Sequence, residues 1–444
     1  MQAVIMAGGK GTRLLALTKD EIPKPMAPVN GKPILHWQIE QLKEHGMDSI
    51  ILVVGHLGHK IKEYFQDGAA FGVKISYVEE QEPLGTAGAL SLLPPLLTGE
   101  DFFLIFGDVL FQMDLQRMKA FHQEHQSIAT LAVHPNGHPY DSDLVVCERD
   151  GRITAFDSKH NVRNDWYRNC VNAGLYLLNR SLCESIPPHQ KTDLEKEVLS
   201  PLIAQGGAVY GYPTSEYIKD VGTPERIARA EEELSCGFAA QRCLTKPQKA
   251  IFLDRDGTVN RKNGLVYQPE QFELEDGAVD AIRAINQSGY LAILITNQPV
   301  VARGLCSVED VEKIHQKLET LLGQEGVYLD GIFFCPHHPD KGYPEENPAY
   351  KISCHCRKPD IGMIEQAKAQ FHIDLSQSWM VGDSTVDLQT GKNAGVHTAL
   401  VLTGDAGNDG KYERSSTLCA SNLKEAVEAI LAKTERGETS ELSV

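Results

Sequence analysis

Short apolar runs recur along the chain, and several of them end at Gly, Asp or Asn. Residues 50–54, 102–106 and 292–296 are examples. Runs without polar alternation are typical of buried parallel strands, which carry functional residues at their carboxyl ends. Amphipathic stretches such as 34–45 and 308–322 lie between the runs and predict helices. The pattern therefore predicts two doubly wound, Rossmann-like α/β domains, with ligands bound beyond the strand ends.

The chain is long enough for more than one domain, because its 444 residues exceed what one hydrophobic core usually serves. A helical pattern over 224–234 closes the first half, and an apolar strand pattern restarts at residue 250. The last residues are charged and rich in Ser and Thr, which is typical of a flexible tail. The predicted divisions are a first domain over 1–235, a linker over 236–248, a second domain over 249–432 and a tail over 433–444.

Composition and charge narrow the range of partners. Hydrophobic residues make up 42% of the chain and charged residues 23%, which is typical of a globular protein. The net charge of −17 argues against nucleic acids and anionic membranes, because both require a basic surface. No apolar run approaches the roughly 20 residues of a membrane helix, and the start of the sequence runs into a glycine loop rather than a signal peptide. We expect a cytoplasmic protein with small anionic substrates.

A glycine-rich loop follows the first strand pattern. The glycines Gly8, Gly9 and Gly11 let backbone N–H groups converge on an anion, and Arg13 adds positive charge. Such a loop alone is often only a tight turn. Here a lysine, Lys24, follows between two prolines on a stiff segment. The loop and the lysine together predict a site that handles phosphate groups.

The first half resembles the sugar-1-phosphate nucleotidyltransferase family, whose opening is a GGxGTRL loop followed by PKP. The resemblance covers almost all of residues 1–235, including the stretches 82–88, 106–108, 171–176, 194–197 and 219–224. It implies a reaction in which a sugar phosphate attacks the α-phosphorus of a nucleoside triphosphate and expels pyrophosphate. Such a reaction depends mainly on alignment and charge neutralisation.

The resemblance also implies roles for individual residues. The triphosphate would lie on the loop residues Gly8, Gly9, Gly11, Thr12 and Arg13. Lys24 would meet the developing charge, and Asp108 and Asp220 would hold Mg²⁺, a hard cation that prefers carboxylate oxygens. The residues implied for the base are Gln81 and Gly85, and those implied for the sugar phosphate are Asn172, Gly174, Glu195 and Lys196.

Simpler roles stay open for some of these residues. An aspartate after a strand is often a helix cap, as Asp108 would then be, and Lys196 would then be a solvated surface charge. The sequence also departs from the family pattern at 14–18, where the usual Leu-x-Pro-Leu-Thr is Leu-Leu-Ala-Leu-Thr, and at 19–22, which is one residue longer. These departures concern the path of the loop.

Two aspartates, Asp254 and Asp256, follow an apolar strand pattern in the second half, and Gly257 permits the turn after them. Two aspartates at this spacing can take separate roles in phosphoryl transfer, because one attacks phosphorus while the other moves a proton. A solvated acidic turn is the alternative for the motif alone. Two further polar segments, at 296–298 and 380–387, also follow apolar runs.

This ordered set resembles the haloacid dehalogenase superfamily of phosphatases over roughly 249–404. The resemblance implies that Asp254 is the nucleophile, which forms an aspartyl phosphate, and that Asp256 is the general acid and base. Mg²⁺ would lie between Asp254, the backbone carbonyl of Asp256, and Asp383. The residues implied for phosphoryl or substrate binding are Thr296, Asn297, Arg303, Arg357 and Lys358.

A cluster of metal-ligating residue types lies between these segments. Two short-spaced groups, Cys335 with His337 and His338, and Cys354 with His355 and Cys356, supply the thiolates and imidazole that a closed tetrahedral Zn²⁺ site requires. Buried free cysteines are the alternative. The resemblance implies His337 as the histidine ligand, rather than its neighbour or the histidine at 355. Zinc would then have a structural role, fixing the loop that carries Arg357 and Lys358.

Within the superfamily, the motifs most resemble heptose 1,7-bisphosphate 7-phosphatases, with histidinol-phosphate phosphatases as near relatives. The departures are residues 297–304, which replace the usual Asn-Gln-Ser-Gly-Ile-Ala-Arg-Gly, and Ile361 in place of Pro. The run 23–33 resembles heptose 1-phosphate guanylyltransferases and favours GTP over ATP. The two resemblances together imply a bifunctional enzyme, in which the product of the phosphatase is the substrate of the nucleotidyltransferase.

Other functions stay open at this point. One alternative changes the sugar to mannose or glucose 1-phosphate in the first half, and to histidinol phosphate in the second. Another makes the first half a module that senses nucleotide sugars and regulates the phosphatase, although Arg13, Lys24, Asp108 and Asp220 speak against this. The sequence gives neither the anomer nor the quaternary state, and a homo-oligomer is compatible with it.

Overall fold

The computed structural model describes residues 1–9, 19, 21–342 and 345–436, and the chain forms two compact units. The first unit consists of Met1–His134, Asp143–Ser158 and Val171–Thr245, and the second of Pro135–Ser142, Lys159–Cys170 and Lys246–Val444. This grouping differs from the predicted division, because two stretches of the first half join the second unit. In one of them the Tyr167 backbone N–H donates to Thr320 Oγ1 at 3.0 Å.

The first unit is built around a mixed sheet. Its strands are β1 (Gln2–Met6), β2 (Pro28–Val29), β3 (Lys32–Pro33), β4 (Ser49–Val54), β5 (Lys74–Glu79), β6 (Asp101–Phe106), β7 (Val109–Gln112), β8 (Ala129–His134), β9 (Leu144–Cys147), β10 (Ile153–Asp157), β11 (Val171–Asn179), β12 (Val209–Pro213) and β13 (Tyr217–Asp220). The main order is β10-β9-β11-β6-β1-β4-β5, and β8 pairs with both β11 and β12. Strands β6, β1, β4 and β5 are parallel, whereas β11 runs antiparallel to β6.

Helices connect these strands and cover the sheet. They are α1 (Ile34–Glu44), α2 (Gly58–Phe65), α3 (Leu115–Glu124), α4 (Ser181–Glu184), α5 (Ser200–Ala204), α6 (Pro224–Ser235) and α7 (Phe238–Gln241). Apolar side chains from β1, β4 and β6 pack with those of α1 and α2 in one continuous core. Helix α7 lies within the segment predicted as a linker, and Ala239 in it is buried.

The second unit has a fully parallel sheet. Its strands are β14 (Lys249–Leu253), β15 (Tyr290–Asn297), β16 (Gly331–Cys335), β17 (Trp379–Gly382), β18 (His397–Val401) and β19 (Leu418–Ala420), and its helices are α8 (Ala278–Asn286), α9 (Val308–Gln324), α10 (Gly362–Phe371), α11 (Thr385–Ala394) and α12 (Leu423–Glu435). The strand order is β16-β15-β14-β17-β18-β19. Alternate residues of β14 enter different cores, with Ile251 on one face and Phe252 on the other. Both faces are therefore buried, as in a doubly wound sheet.

The predicted α/β class is confirmed in both units. The predicted runs at 50–54, 102–106 and 292–296 lie within β4, β6 and β15, and the predicted helices at 34–45 and 308–322 correspond to α1 and α9. The first sheet differs in having antiparallel strands on one side, because an apolar run does not reveal the direction of its neighbour. No described helix is both long and apolar enough to cross a membrane.

Candidate active sites

Three residues that are distant in sequence meet at the carboxyl edge of the first sheet. Asp108 follows β6, and Asp220 ends β13. The pairing of β7 with β13 brings the two together, and the Val221 N–H donates to the Asp108 carbonyl at 2.9 Å. The Lys24 ammonium forms an ion pair with Asp108 and lies 3.9 Å from Asp220 Oδ1. The second oxygen of Asp220 contacts Arg226 at 2.8 Å.

This arrangement fits a divalent cation. Lys24 is largely buried, whereas the side chains of Asp108 and Asp220 are 25% and 40% exposed. Two carboxylates that already share one ammonium offer the oxygen ligands that Mg²⁺ prefers. The site therefore combines a fixed positive charge with a carboxylate pair open to solvent.

Two of the three glycines next to this site, Gly8 and Gly107, are held close to other groups. A Cβ at Gly8 would collide with the Glu80 carboxylate, whereas Gly9 has open space around it. A Cβ at Gly107, between β6 and Asp108, would lie 2.8 Å from the Met6 carbonyl oxygen. The predicted loop residues Gly11, Thr12 and Arg13 lie outside the described residues.

A second polar group of the first unit is centred on Glu195. Its Oε1 accepts hydrogen bonds from Asn172 Nδ2 at 2.5 Å and from the Tyr176 hydroxyl at 3.1 Å. Burial is the main cause that raises the pKa of Glu195, and burial also raises that of Tyr176 well above its ordinary value. Gly174, with a φ of +72°, shapes the strand between these residues and donates its N–H to Asn172 Oδ1 at 3.1 Å.

Tyr176 is a member of this group that sequence reasoning missed. Its alternation with Asn172 and Gly174 along the strand could have indicated a shared face. Lys196 is exposed, so it could contact a sugar phosphate or could be only a solvated surface charge. Gln81 is also exposed, and Gly85 has a φ of +79°, where a Cβ would lie 2.5 Å from the Thr192 carbonyl oxygen.

The second unit carries a buried cluster of carboxylates around one lysine. Lys358 Nζ lies 2.6 Å from both Asp254 Oδ1 and Asp387 Oδ1. Oxygen atoms of Asp254, Asp383 and Asp387 all lie within 4.8 Å of one another. Asp254 follows β14 and Asp383 follows β17, which are neighbouring parallel strands. Asp387 was not predicted as a site residue, although the spacing Ser384-x-x-Asp387 indicates the capping box that holds it.

The electrostatics of this cluster also fit a divalent cation. Burial, followed by the charge of Asp387, raises the pKa of Asp254 to about 8, against the opposing effect of Lys358. Burial and Asp387 raise the pKa of Asp383 to about 6. Three buried carboxylates carry more negative charge than Lys358 and Lys262 together offset, and a bound divalent cation would supply positive charge.

Asp256 has a separate environment. Its carboxylate contacts the Arg255 guanidinium at 3.0 Å and accepts hydrogen bonds from Gln298 Nε2 at 2.9 Å and Asn260 Nδ2 at 3.1 Å. Burial alone would raise the pKa of Asp256, but these three partners lower it below its ordinary value. Its side chain is not part of the carboxylate cluster, whereas the predicted metal contact is its backbone carbonyl.

Of the other predicted residues, Asn297 contacts Lys358 directly. Asn297 accepts the Lys358 backbone N–H at 2.9 Å and donates to the Lys358 carbonyl at 3.0 Å, so its amide positions the lysine backbone. Thr296 is buried, and its hydroxyl accepts a hydrogen bond from Gln298 Nε2 at 2.9 Å. Arg357 donates to the His337 carbonyl at 3.0 Å, and Arg303 is partly buried.

The predicted cysteine and histidine ligands come together and could hold a metal ion. Cys356 Sγ lies 3.2 Å from the sulfurs of Cys335 and Cys354 and 3.4 Å from His337 Nδ1. A tetrahedral ion with metal–sulfur bonds of about 2.3 Å needs ligands about 3.7 Å apart, close to this spacing. The hydrogen bond with Cys335 is the main cause that lowers the pKa of Cys356 to about 5, which favours the metal-binding thiolate.

The two other histidines of this region have different partners. His338 Nδ1 accepts the Asp340 backbone N–H at 3.1 Å, and His355 Nε2 lies 2.7 Å from Glu365 Oε2. These contacts separate them from the group formed by Cys335, His337, Cys354 and Cys356.

Comparisons with known proteins match each half of the chain to a protein family. Residues 2–236 match the family model for nucleotidyl transferases, and residues 355–426 match the HAD-hydrolase-like model. A phosphatase from Yersinia pestis, D-glycero-beta-D-manno-heptose-1,7-bisphosphate 7-phosphatase, is 42% identical over 36% of this chain and 84% of its own length. The chain belongs to the nucleotidyl transferase family, with a HAD-like phosphatase domain in its second half.

Two relatives of the nucleotidyl transferase domain are guanylyltransferases. D-glycero-alpha-D-manno-heptose 1-phosphate guanylyltransferase from Aneurinibacillus thermoaerophilus is 35% identical over 53% of this chain and 98% of its own length. Mannose-1-phosphate guanylyltransferase from Mycobacterium tuberculosis is 34% identical over 55% of this chain and 67% of its own length. Both domains therefore belong to families of enzymes.

Proposed function

We propose that this chain removes the 7-phosphate of D-glycero-D-manno-heptose 1,7-bisphosphate and then transfers a guanylyl group from GTP to the resulting heptose 1-phosphate. The observation that carries the proposal is the presence, in one chain, of two domains whose relatives act on consecutive heptose phosphates. The nucleotide-activated heptose would serve surface polysaccharide synthesis, and we place the enzyme in the cytoplasm, where nucleoside triphosphates are available.

In the phosphatase step, an Asp254 oxygen attacks phosphorus, and the bond from phosphorus to O7 of the sugar breaks. Asp256 donates a proton to the leaving oxygen, and later accepts one from the water that hydrolyses the aspartyl phosphate. Lys358 and Thr296 would contact the phosphoryl oxygens, while Asn297 holds the lysine backbone in place. Mg²⁺, held by Asp254, Asp383 and the carbonyl of Asp256, would neutralise charge when bound.

In the transferase step, an oxygen of the sugar 1-phosphate attacks the α-phosphorus of the nucleotide, and the bond to pyrophosphate breaks. Lys24 would neutralise charge on the reacting phosphates, and Asp108 and Asp220 would hold Mg²⁺. The hydrogen-bonded group of Asn172, Tyr176 and Glu195 is suited to contact sugar hydroxyls, because its carboxylate and amide are already oriented by one another.

The cysteine cluster would hold Zn²⁺ in a structural role. Its last ligand, Cys356, directly precedes Arg357 and Lys358 in the sequence. A closed four-ligand site has no open position for substrate, so the ion would fix this loop rather than react.

The two groups of relatives are named for different anomers. The phosphatase relative is named for the beta anomer, and the heptose guanylyltransferase relative for the alpha anomer. Consecutive steps require one anomer for both domains. We favour alpha, because the transferase reacts at the anomeric phosphate itself, whereas the phosphatase reacts at the opposite end of the sugar.

The test is to incubate the purified chain with Mg²⁺, each nucleoside triphosphate in turn, and both anomers of the bisphosphate, recording phosphate and pyrophosphate separately. We expect both products with the alpha anomer and GTP. Phosphate without pyrophosphate, even when heptose 1-phosphate is added, would contradict the transferase assignment. Pyrophosphate release with mannose 1-phosphate, but not with heptose 1-phosphate, would favour mannose 1-phosphate as the substrate of the first domain. The mannose-1-phosphate guanylyltransferase relative supports this alternative.

A further inference from the structure

A second lysine lies next to the carboxylate cluster of the phosphatase domain, and the proposed reaction gives it no role. Lys262 Nζ lies 2.6 Å from Asp405 Oδ2 and 3.3 Å from Asp383 Oδ2. The Asp383 side chain is 1% exposed, whereas that of Lys262 is 32% exposed. The same oxygen of Asp383 accepts the Asp405 backbone N–H at 2.6 Å. The ammonium therefore reaches a buried carboxylate from the solvent side.

The two lysines of this site are held differently. Lys358 is 3% exposed and lies between two buried carboxylates, so it has no alternative partner in solvent. Lys262 contacts one buried carboxylate and one, Asp405, that is 37% exposed. Only Lys262, of these two lysines, can leave the cluster and keep an ion pair.

We propose that Lys262 competes with the divalent cation for Asp383 and moves fully onto Asp405 when the cation binds. The inference rests on the proposed Mg²⁺ site of the phosphatase domain. Asp383 Oδ2 faces an ammonium at 3.3 Å, and a cation bound there would repel that ammonium. Asp405 supplies the second position, because its carboxylate already holds the nearer contact with Lys262.

The competition predicts opposite effects for two substitutions. Lys262→Met removes the competing charge and should lower the Mg²⁺ dissociation constant about tenfold, the lower end of what residues around metal ligands typically contribute. Asp405→Asn removes the alternative partner and should raise the dissociation constant. When Lys262 is already replaced by Met, Asp405→Asn should change the Mg²⁺ dissociation constant much less, because Asp405 acts on the cation only through Lys262. A double-mutant cycle measures this difference.

The experiment is a Mg²⁺ titration of the full chain without substrate. Calorimetry measures the binding constant, and thermal unfolding measures the stabilisation by bound Mg²⁺. Asp108→Asn and Asp220→Asn are introduced throughout to remove the proposed cation site of the first domain. Arg261→Met is the matched control, because it also removes one positive charge from the neighbouring position, while its guanidinium contacts Asp276 instead. Lys262→Gln serves as a second variant should Lys262→Met fold poorly.

We expect tighter Mg²⁺ binding in Lys262→Met and Lys262→Gln and an unchanged constant in Arg261→Met. Clear Mg²⁺ binding with the same constant in the parent and both Lys262 variants would overturn the inference and leave the proposed function intact. Absence of Mg²⁺ binding in every variant would overturn the inference together with the proposed phosphatase metal site.

Discussion

Lys358 is the residue on which the phosphatase site depends most directly. Its ammonium lies 2.6 Å from each of two buried carboxylates, and it also donates to the Ile295 carbonyl at 3.2 Å. Removing one partner of a buried ion pair leaves charge without compensation. The lysine therefore stabilises the fold around Asp254 and Asp387, and in the proposed reaction it would also offset the charge on a bound phosphoryl group.

Lys358→Met should lower phosphate release about 100-fold or more, because the positive charge facing the phosphoryl group is lost. It should also lower the free energy of unfolding by about 3 kcal/mol, measured by denaturant unfolding. Lys392→Met, at a more exposed lysine paired with Glu413, is the control. Phosphate release within twofold of the parent in Lys358→Met would contradict the assigned role.

Some site residues could not be predicted from sequence, because their contacts join distant parts of the chain. Asp254, Asp256 and Lys358 stand in motifs, and the pattern of residue types predicts them. Lys262 reaches Asp383 across 121 positions of sequence, and only the three-dimensional course of the loops after two neighbouring strands brings these side chains together.

Among the structural elements, the connection between β12 and β13 contains a buried acid, Glu216. Its carboxylate accepts the backbone N–H groups of Asp114 at 2.6 Å and Leu244 at 2.9 Å, and the Thr214 hydroxyl at 3.0 Å. These contacts tie the start of α3 to the end of the first unit. Burial is the main cause that raises the pKa of Glu216 to about 7.

Glu216 makes the stability of this region depend on pH. The raised pKa means that the folded state binds the proton more tightly than the unfolded state, whose pKa lies near 4.5. The contribution is therefore fully present below pH 4.5 and is lost as the pH rises through about 7, by up to roughly 3 kcal/mol. Glu216→Gln should flatten the unfolding free energy between pH 5 and 8, whereas Glu184→Gln, at an exposed position of α4, should not.

In the proposed function, a zinc ion held by Cys335, His337, Cys354 and Cys356 would fix the connection between β16 and α10. Cys356→Ser should remove one equivalent of zinc and lower phosphate release, because Arg357 and Lys358 lose their fixed position. Pyrophosphate release from added heptose 1-phosphate and GTP should be unchanged. The measurement combines metal analysis with both product assays, and Cys419→Ser, at an exposed cysteine, is the control. Full phosphatase activity in a zinc-free protein would contradict the structural role.

Sequence pattern predicted the elements better than their arrangement. The run at 292–296 became a strand of Tyr290–Asn297, because buried strands are continuous apolar runs. The antiparallel pairing of β11 with β6 was not predictable, because β11 reads Val-Asn-Ala-Gly-Leu-Tyr-Leu-Leu-Asn and resembles any buried strand. Direction is decided by the connections, which the strand sequence does not contain.

For the whole molecule, the proposal predicts that the two activities can be lost separately. Asp108→Asn should abolish pyrophosphate release and leave phosphate release unchanged, so that heptose 1-phosphate accumulates. Asp254→Asn should abolish phosphate release, and pyrophosphate should then form only when heptose 1-phosphate is added. Product analysis by chromatography checks both variants. Loss of phosphate release in Asp108→Asn, or of pyrophosphate release in Asp254→Asn supplied with heptose 1-phosphate, would contradict two independent sites.

Pro135–Ser142 and Lys159–Cys170 pack with the second compact unit. In the sequence, however, both stretches lie within the first unit. A gene cut between codons 245 and 246 would therefore yield a second fragment that lacks two of its own pieces. A single break in the chain therefore cannot give two fragments that coincide with the two units. Returning to independent genes would require the second unit to replace both pieces, or to do without the surface that they cover.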